Sequence, residues 1–154
     1  MMKTTADPGG EAWSRLLAVQ ATLVERIEAE LSAAGLPALT WYDALWALER
    51  ADEGRLRMHE LARSVVLSRS NVTRLIDRLE EAGLIARENC ADDRRGAFAA
   101  ITAKGREMRK RMWVVYRVQI RDLFFAHLSA SDARAMKASL DKVLAASRAG
   151  DVVG

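Results

Sequence analysis

The sequence predicts a mainly α fold with a small β hairpin, and three observations carry that reading. Apolar residues recur at three- and four-residue steps over much of the 154-residue chain. Glycine, proline and hydroxyl residues stand where such helices would start and stop. Two short apolar runs, "LIAR" and "AFAAI", flank a polar, charged stretch, the pattern of two strands joined by a hairpin loop.

Taken in order, residues 11–33 predict a long amphipathic helix through Trp13, Leu16, Leu17, Leu23, Val24, Ile27 and Leu31. The ten residues before it, "MMKTTADPGG", are expected to be a disordered tail, and Gly35 and Pro37 end the helix. A second helix is expected over residues 38–51, carrying Trp41, Tyr42, Leu45, Trp46 and Leu48 and closing in the turn "ADEG". "RLRMHELARSVV" then gives a short strand and a short helix over residues 58–65. Ser68 is an N-cap for the next helix, because its hydroxyl can accept from free backbone N–H groups two or three residues on. Val72, Leu75, Ile76 and Leu79 form the buried stripe of that helix, and Gly83 is its C-terminal stop. After the hairpin, Thr102 caps a long helix over residues 103–127, and Ser129 or Ser131 starts a last one reaching about residue 146.

Composition bounds the function. With 50% hydrophobic and 29% charged residues the chain fits one compact domain of ordinary density. The net charge of +3 is unevenly spread: residues 1–54 hold 4 basic and 9 acidic side chains, residues 55–95 hold 9 and 7, and residues 96–154 hold 11 and 5. All nine basic residues of the middle segment are arginine, whose planar fork suits phosphates and guanine edges. A lone cysteine, Cys90, excludes an internal disulfide and a Cys-rich zinc site, and a reducing, cytoplasmic setting is expected. There is no signal-peptide core and no run of eighteen apolar residues, so no membrane partner is expected. His59 and His127 stand apart without a ligand set, and a site of His59 with Glu60 lacks further partners, so no metal and no cofactor are expected. Neither a phosphate-binding glycine loop nor a nucleophile elbow is present, and nothing points to an enzyme.

Two short helices joined by the turn "VVLS" make a helix-turn-helix if the second presents a polar face to a major groove. That face carries Arg69, Ser70, Asn71, Thr73, Arg74, Asp77 and Arg78. The acids Asp77, Glu80 and Glu81 are expected to balance Arg74 and Arg78 through helix-spaced pairs. The hairpin becomes a wing, with Arg94 and Arg95 at its tip suited to a narrow minor groove and Asp92 and Asp93 placed to orient them.

The run "LARSVVLSRSNVTRLIDRLEEAGLIARENCADDRRGAFAAITAKG" resembles the winged-helix core of the MarR family of bacterial transcription regulators, above all in "VTRLIDRLEEAGLI", "DDRR" and "ITAKG". The resemblance implies a winged helix-turn-helix DNA-binding region over residues 37–102, flanked by dimerisation helices over residues 11–36 and 103–154, in one compact domain. It implies a homodimer on a pseudo-palindromic double-stranded DNA operator, commonly a repressor released by a small, often aromatic, anionic effector. The family's major-groove contacts fall on Ser68, Arg69, Ser70, Asn71, Thr73 and Arg74, with Arg78 on the same face. Its wing pattern falls on Asp93 and Arg95, with Arg94 beside them. Trp13, Trp41, Tyr42, Trp46, Trp113 and Tyr116 lie on the helices where the family places its effector pocket, and equally at spacings that suit core or interface.

Three other readings stay open at this level. Cys90 could make the protein redox-responsive, with Arg87, Arg94 and Arg95 favouring its thiolate and Asp92 and Asp93 opposing it. A winged helix used for protein interaction would show an apolar recognition face, and this one is polar. An architectural DNA binder would carry a larger basic excess than +3.

Overall fold

A computed structural model describes residues 7–65, 69–89 and 96–150. The chain divides into two compact units, Met1–Arg117 and Val118–Gly154. The described residues are mostly helical, with one small antiparallel sheet.

In the first unit, α1 (Pro8–Ala33) begins three residues earlier than the sequence reading placed it. The Asp7 carboxylate accepts from the backbone N–H of Gly9 and Gly10 at 3.4 and 3.1 Å, and Pro8 fills the first helical position, where a missing N–H costs nothing. Residues 8–10 of the expected tail are therefore helical. Ile27 and Leu31 are buried, whereas Trp13, Leu16, Leu17 and Val19 stay exposed.

Helix α2 (Leu39–Arg50) has an alanine at its N-cap and no cap from its own side chains. Glu28 of α1 serves instead, its Oε1 accepting from Leu39 N at 2.8 Å. A turn through Asp52–Gly54 leads into β1 (Arg55–Arg57) and α3 (Met58–Ser64). The Glu60 carboxylate accepts from Arg57 N at 2.8 Å and so caps α3, which gives that acid a structural use in place of a metal site with His59.

Helix α4 (Arg69–Glu81) buries Val72, Leu75, Ile76 and Leu79, the stripe expected from the sequence. It ends in a Schellman motif: Leu84 N donates to Leu79 O and Gly83 N to Glu80 O, both at 2.9 Å, with Gly83 at φ +71°. Strands β2 (Ile85–Glu88) and β3 (Phe98–Ile101) pair antiparallel with Ile85 opposite Ile101. The hairpin is not alone: β1 pairs with the far edge of β3, Arg57 opposite Phe98, giving the order β1-β3-β2. Ala44, Leu45 and Leu48 of α2, Leu61 of α3, the α4 stripe, Leu84, Ile85 and Ala99 make one continuous core under this sheet.

Helix α5 (Ala103–Leu123) starts where Thr102 caps it, Thr102 Oγ1 accepting from Gly105 N at 3.0 Å. The same hydroxyl donates to Gly83 O at 2.7 Å, and Thr102 N donates to Leu84 O at 3.1 Å. Gly105 lies so close to this turn that a Cβ there would sit 2.1 Å from Leu84 O.

In the second unit, α5 ends at Leu123, short of the expected residue 127, because Phe124 (φ −126°, ψ −62°) leaves helical geometry and a 3-10 turn takes over Phe125–His127. The His127 ring Nε2–H donates to Asp122 O at 3.0 Å, satisfying one of the carbonyls left over at the helix end. Helix α6 (Ala130–Gly150) opens with a reciprocal cap in which Asp132 N donates to Ser129 Oγ at 3.1 Å and Ser129 N to the Asp132 carboxylate at 2.9 Å. Among the described residues no helix is long and apolar enough to cross a membrane, and no group of three or more His, Cys, Asp or Glu could hold a metal.

Candidate nucleic-acid interface

The polar side of α4 is assembled from residues three, four and seven apart. Asn71, Thr73, Arg74, Asp77 and Arg78 are all exposed on it. Helix α4 begins with Arg69 and Ser70, whose side chains are outside the description, and Ser68 and the wing-tip residues Asp93, Arg94 and Arg95 lie outside the described residues, as does Cys90.

The acids of α4 do not pair as the sequence suggested. Arg87 of β2 reaches back to the helix, its Nη2 bridging Asp77 Oδ1 and its Nε bridging Glu80 Oε2, each at 2.5 Å. One guanidinium carries five N–H donors on three nitrogens, so its Nη2 and Nε can satisfy both carboxylates at once where the helix's own arginines would have to fold along the surface. Among the described residues Arg74 and Arg78 are consequently left without an ion pair. The exposed face of α4 is split by this arrangement. Asp77, Glu80, Glu81 and Arg87 surround an acidic hollow on one flank. On the other flank, Asn71, Arg74, Leu75 and Arg78 face Ala38, Thr40 and Trp41 across a groove of about 240 Å³. A third hollow, about 610 Å³, lies among α3, α4 and β2 and is lined in part by His59, Arg63, Thr73 and Arg87.

The base of the wing is braced by an aromatic ring. Arg55 and Arg57, two residues apart on β1, lie 5.0 and 4.6 Å over the Phe98 ring of β3. Arg55 also bridges Glu53 at 2.6 Å and Glu88 of β2 at 3.3 Å, tying both outer strands together.

Three of the six aromatic pocket candidates meet. Tyr42 stacks on Trp113 with centroids 6.0 Å apart, and Tyr116 meets both edge-on at 5.0 and 5.8 Å. Trp46 stands beside them under two guanidiniums, Arg109 at 5.2 Å and Arg50 at 5.4 Å. Trp41 packs on the core beside α4 instead, and Trp13 is exposed on α1. Arg109 is itself ion-paired with Glu49, which also bridges Arg106 at 3.6 Å. Burial pushes the Tyr42 phenol above its ordinary range, partly offset by the neighbouring Arg109 guanidinium. Burial raises Tyr116 as well, with the Asp43 charge adding to it. The Asp43 carboxyl is raised, first by burial and then by the like charge of Glu28. The centre is thus a set of neutral phenols and indoles with the Arg109 and Arg50 guanidiniums at its edge.

Sequence reasoning missed Arg87 as the partner of the α4 acids, Arg109 and Glu49 beside the aromatic cluster, and Glu28 as the cap of α2. Arg87 was legible in principle, since the wing's first strand must run back along α4 after so short a turn. The other two depend on helix-to-helix packing that no local pattern encodes.

The MarR family model matches residues 34–96 of this chain. The structure is similar to that of AbsC, a MarR family transcriptional regulator from Streptomyces coelicolor, with 30% identity, a TM-score of 0.83, and coverage of 96% of this chain and 99% of that one. It is also similar to Sco3205, a MarR family regulator from the same organism solved in complex with DNA, at 26% identity, a TM-score of 0.80, and coverage of 88% of this chain and 84% of that one. Among curated proteins, the transcriptional repressor MprA of Escherichia coli (strain K12) is 35% identical over 89 residues, 58% of this chain. That match spans only 50% of MprA's own length. The helix-turn-helix, the three-stranded sheet and the near end-to-end likeness to AbsC agree, and the chain belongs to the MarR family of DNA-binding transcriptional regulators.

Proposed function

We propose that this protein is a cytoplasmic homodimeric repressor that holds a pseudo-palindromic operator and releases it when a small aromatic anion binds. The observation that carries the DNA part is the polar face of α4, where Arg87 draws Asp77 and Glu80 aside and leaves Arg74 and Arg78 unpaired among the described residues. On this reading α4 enters the major groove with Ser68, Arg69, Ser70, Asn71, Thr73, Arg74 and Arg78, and the wing brings Asp93, Arg94 and Arg95 to the minor groove. Two copies would set the half-sites about one helical turn, roughly 34–36 Å, apart. The DNA complex of Sco3205 and the repressor name of MprA support the same reading.

Dimer formation is supported by large apolar side chains that stand exposed among the described residues. Trp13, Leu16, Leu17 and Val19 are exposed on α1, and Met136, Val143 and Leu144 are exposed on α6. On each helix taken by itself, exposed large apolar side chains of this kind suit an interaction surface. The effector part rests on Tyr42, Trp113 and Tyr116, whose faces and edges suit a flat ring, with Arg109 near enough to meet a carboxylate if it leaves Glu49.

The test is binding to a duplex from the protein's own promoter region against a scrambled duplex of equal length, at two salt concentrations. Preference for the native duplex supports a specific regulator; equal and steeply salt-dependent binding would leave only phosphate contacts and defeat it. Aromatic carboxylates are then titrated into the complex. Release of DNA together with a change in tryptophan emission is expected, and the aromatic-anion part fails if both stay constant.

A further inference from the structure

The groove between α2 and the arginine flank of α4 offers more than the recognition helix alone. Its polar side chains are Thr40, Trp41, Asn71, Arg74 and Arg78. Every one of them brings at least one hydrogen-bond donor: a hydroxyl, an indole N–H, an amide and two guanidiniums. Among the described residues lining it none is acidic, and none of the five side chains has a hydrogen-bond or ion-pair partner among the described residues. Asn71, Arg74 and Arg78 stand at i, i+3 and i+7 on α4, so their donors form a row, and Thr40 and Trp41 form the opposing wall. Trp41 packs against the core behind it, so its indole edge is held in place before any ligand arrives.

The opposite flank of α4 shows the reverse chemistry, with Asp77, Glu80 and Glu81 around Arg87. A polyanion crossing α4 meets carboxylates on one side and convergent donors on the other. We propose that the groove formed by Thr40 and Trp41 of α2 with Arg74 and Arg78 of α4 grips the sugar-phosphate backbone of the operator, making Thr40 and Trp41 DNA-positioning residues outside the recognition helix and the wing. This rests on the DNA-binding reading above. Neutral donors at phosphates fix register and orientation and carry no sequence information of their own.

The experiment uses the full-length protein with Thr40→Val and Trp41→Phe, each removing one donor while keeping much of the side chain's bulk. Each is expected to weaken operator binding about two- to tenfold, the scale of one lost hydrogen bond, with the preference for operator over scrambled duplex unchanged. Duplexes carrying a single neutral methylphosphonate at successive backbone positions beside each half-site complete a cycle. At the gripped phosphate, the losses from the protein change and the DNA change should fail to add. Additive losses at every position, or unchanged affinity of both variants while the parent protein binds its operator specifically, overturn the proposal and leave the regulator reading standing. A parent protein that binds no duplex overturns both. Both variants are checked by thermal unfolding, and Thr40→Val, a nearly isosteric change at a half-buried position, keeps the question open to refutation if Trp41→Phe is unstable. A small aromatic carboxylate that saturates the groove while DNA stays bound at full affinity would assign it to another ligand and overturn the proposal as well.

Discussion

The Arg87 guanidinium of β2 bridges Asp77 of α4 through Nη2 at 2.5 Å, so a strand of the sheet neutralises an acid on the polar face of α4. The pair is about half exposed, and by itself contributes at most about 1 kcal/mol to stability. Its larger effect is on the field that DNA meets. Arg87→Ala is expected to leave the thermal midpoint almost unchanged and to lower operator affinity, because Asp77 and Glu80 then face the phosphates uncompensated. Asp77→Asn in the same background should restore part of the loss. Fluorescence anisotropy at fixed salt decides this; equal affinity of the parent and Arg87→Ala proteins would refute it.

At the wing, Arg95→Ala should weaken operator binding by about 1–3 kcal/mol if the arginine makes a groove contact. Unchanged affinity, with fold and dimer intact, removes the wing from the mechanism. Arg74→Ala should also weaken binding, and a changed sequence preference would identify it as a base contact where a uniform loss would identify a phosphate contact.

Gly105→Ala tests the junction between α4, the sheet and α5. A Cβ at this position would lie 2.1 Å from Leu84 O, a backbone atom that cannot turn aside as a side chain can. Destabilisation of roughly 1–3 kcal/mol or more is expected, as for other overpacked sites, read as a lowered urea midpoint with an unchanged slope. A midpoint equal to the parent's would mean that the turn relaxes freely.

The raised Asp43 carboxyl makes stability depend on acidity in a defined direction. Asp43 holds a proton more tightly in the folded chain than in the unfolded one. Its contribution is therefore complete below the ordinary carboxylate range and is lost as pH rises through the folded value. Asp43→Asn should flatten this part of the profile and make the protein more stable at neutral pH. The raised Tyr42 and Tyr116 phenols act likewise at the alkaline end, their contributions disappearing as pH climbs beyond the ordinary tyrosine value. Thermal midpoints across the acid-to-neutral range check the carboxyl, and a parallel profile for the variant would exclude it as the source.

Leu17→Glu places a charge in the exposed apolar stripe of α1. If that stripe is a dimer interface, sedimentation at micromolar concentration should change from dimer to monomer, with operator affinity falling steeply. A parent protein that sediments as a stable monomer contradicts the proposed architecture directly.

Much of the fold was legible because its signals are local. The Val72, Leu75, Ile76 and Leu79 stripe, the Gly83 stop and the Thr102 cap each follow from side-chain chemistry within one or two helical turns, and each is present in the structure. The start of α1 was misplaced because Asp7 and Pro8 outweighed two glycines that read as a tail. The end of α5 was misplaced because apolar residues continue past the point where the backbone leaves the helix at Phe124. Within the candidate site, the polar face of α4 was readable from spacing alone. Its charge balance was not, since Arg87 comes from a strand whose side-chain direction depends on pairing with β3. The aromatic cluster was half readable: composition put six rings on three helices, and only packing could bring Tyr42, Trp113 and Tyr116 together while sending Trp41 to α4.

The Thr102 hydroxyl gives its proton to Gly83 O and takes one from Gly105 N, so one oxygen atom, on the residue that follows the sheet's central strand, joins the turn after α4 to the first turn of α5. Only a short alcohol can do both at that spacing, and serine is the single replacement with the same pair of roles. The mechanical meaning is that α4 and the sheet are fastened to each other and to α5 at one point. Bending the strands away from α4 would first have to undo the bond to Gly83.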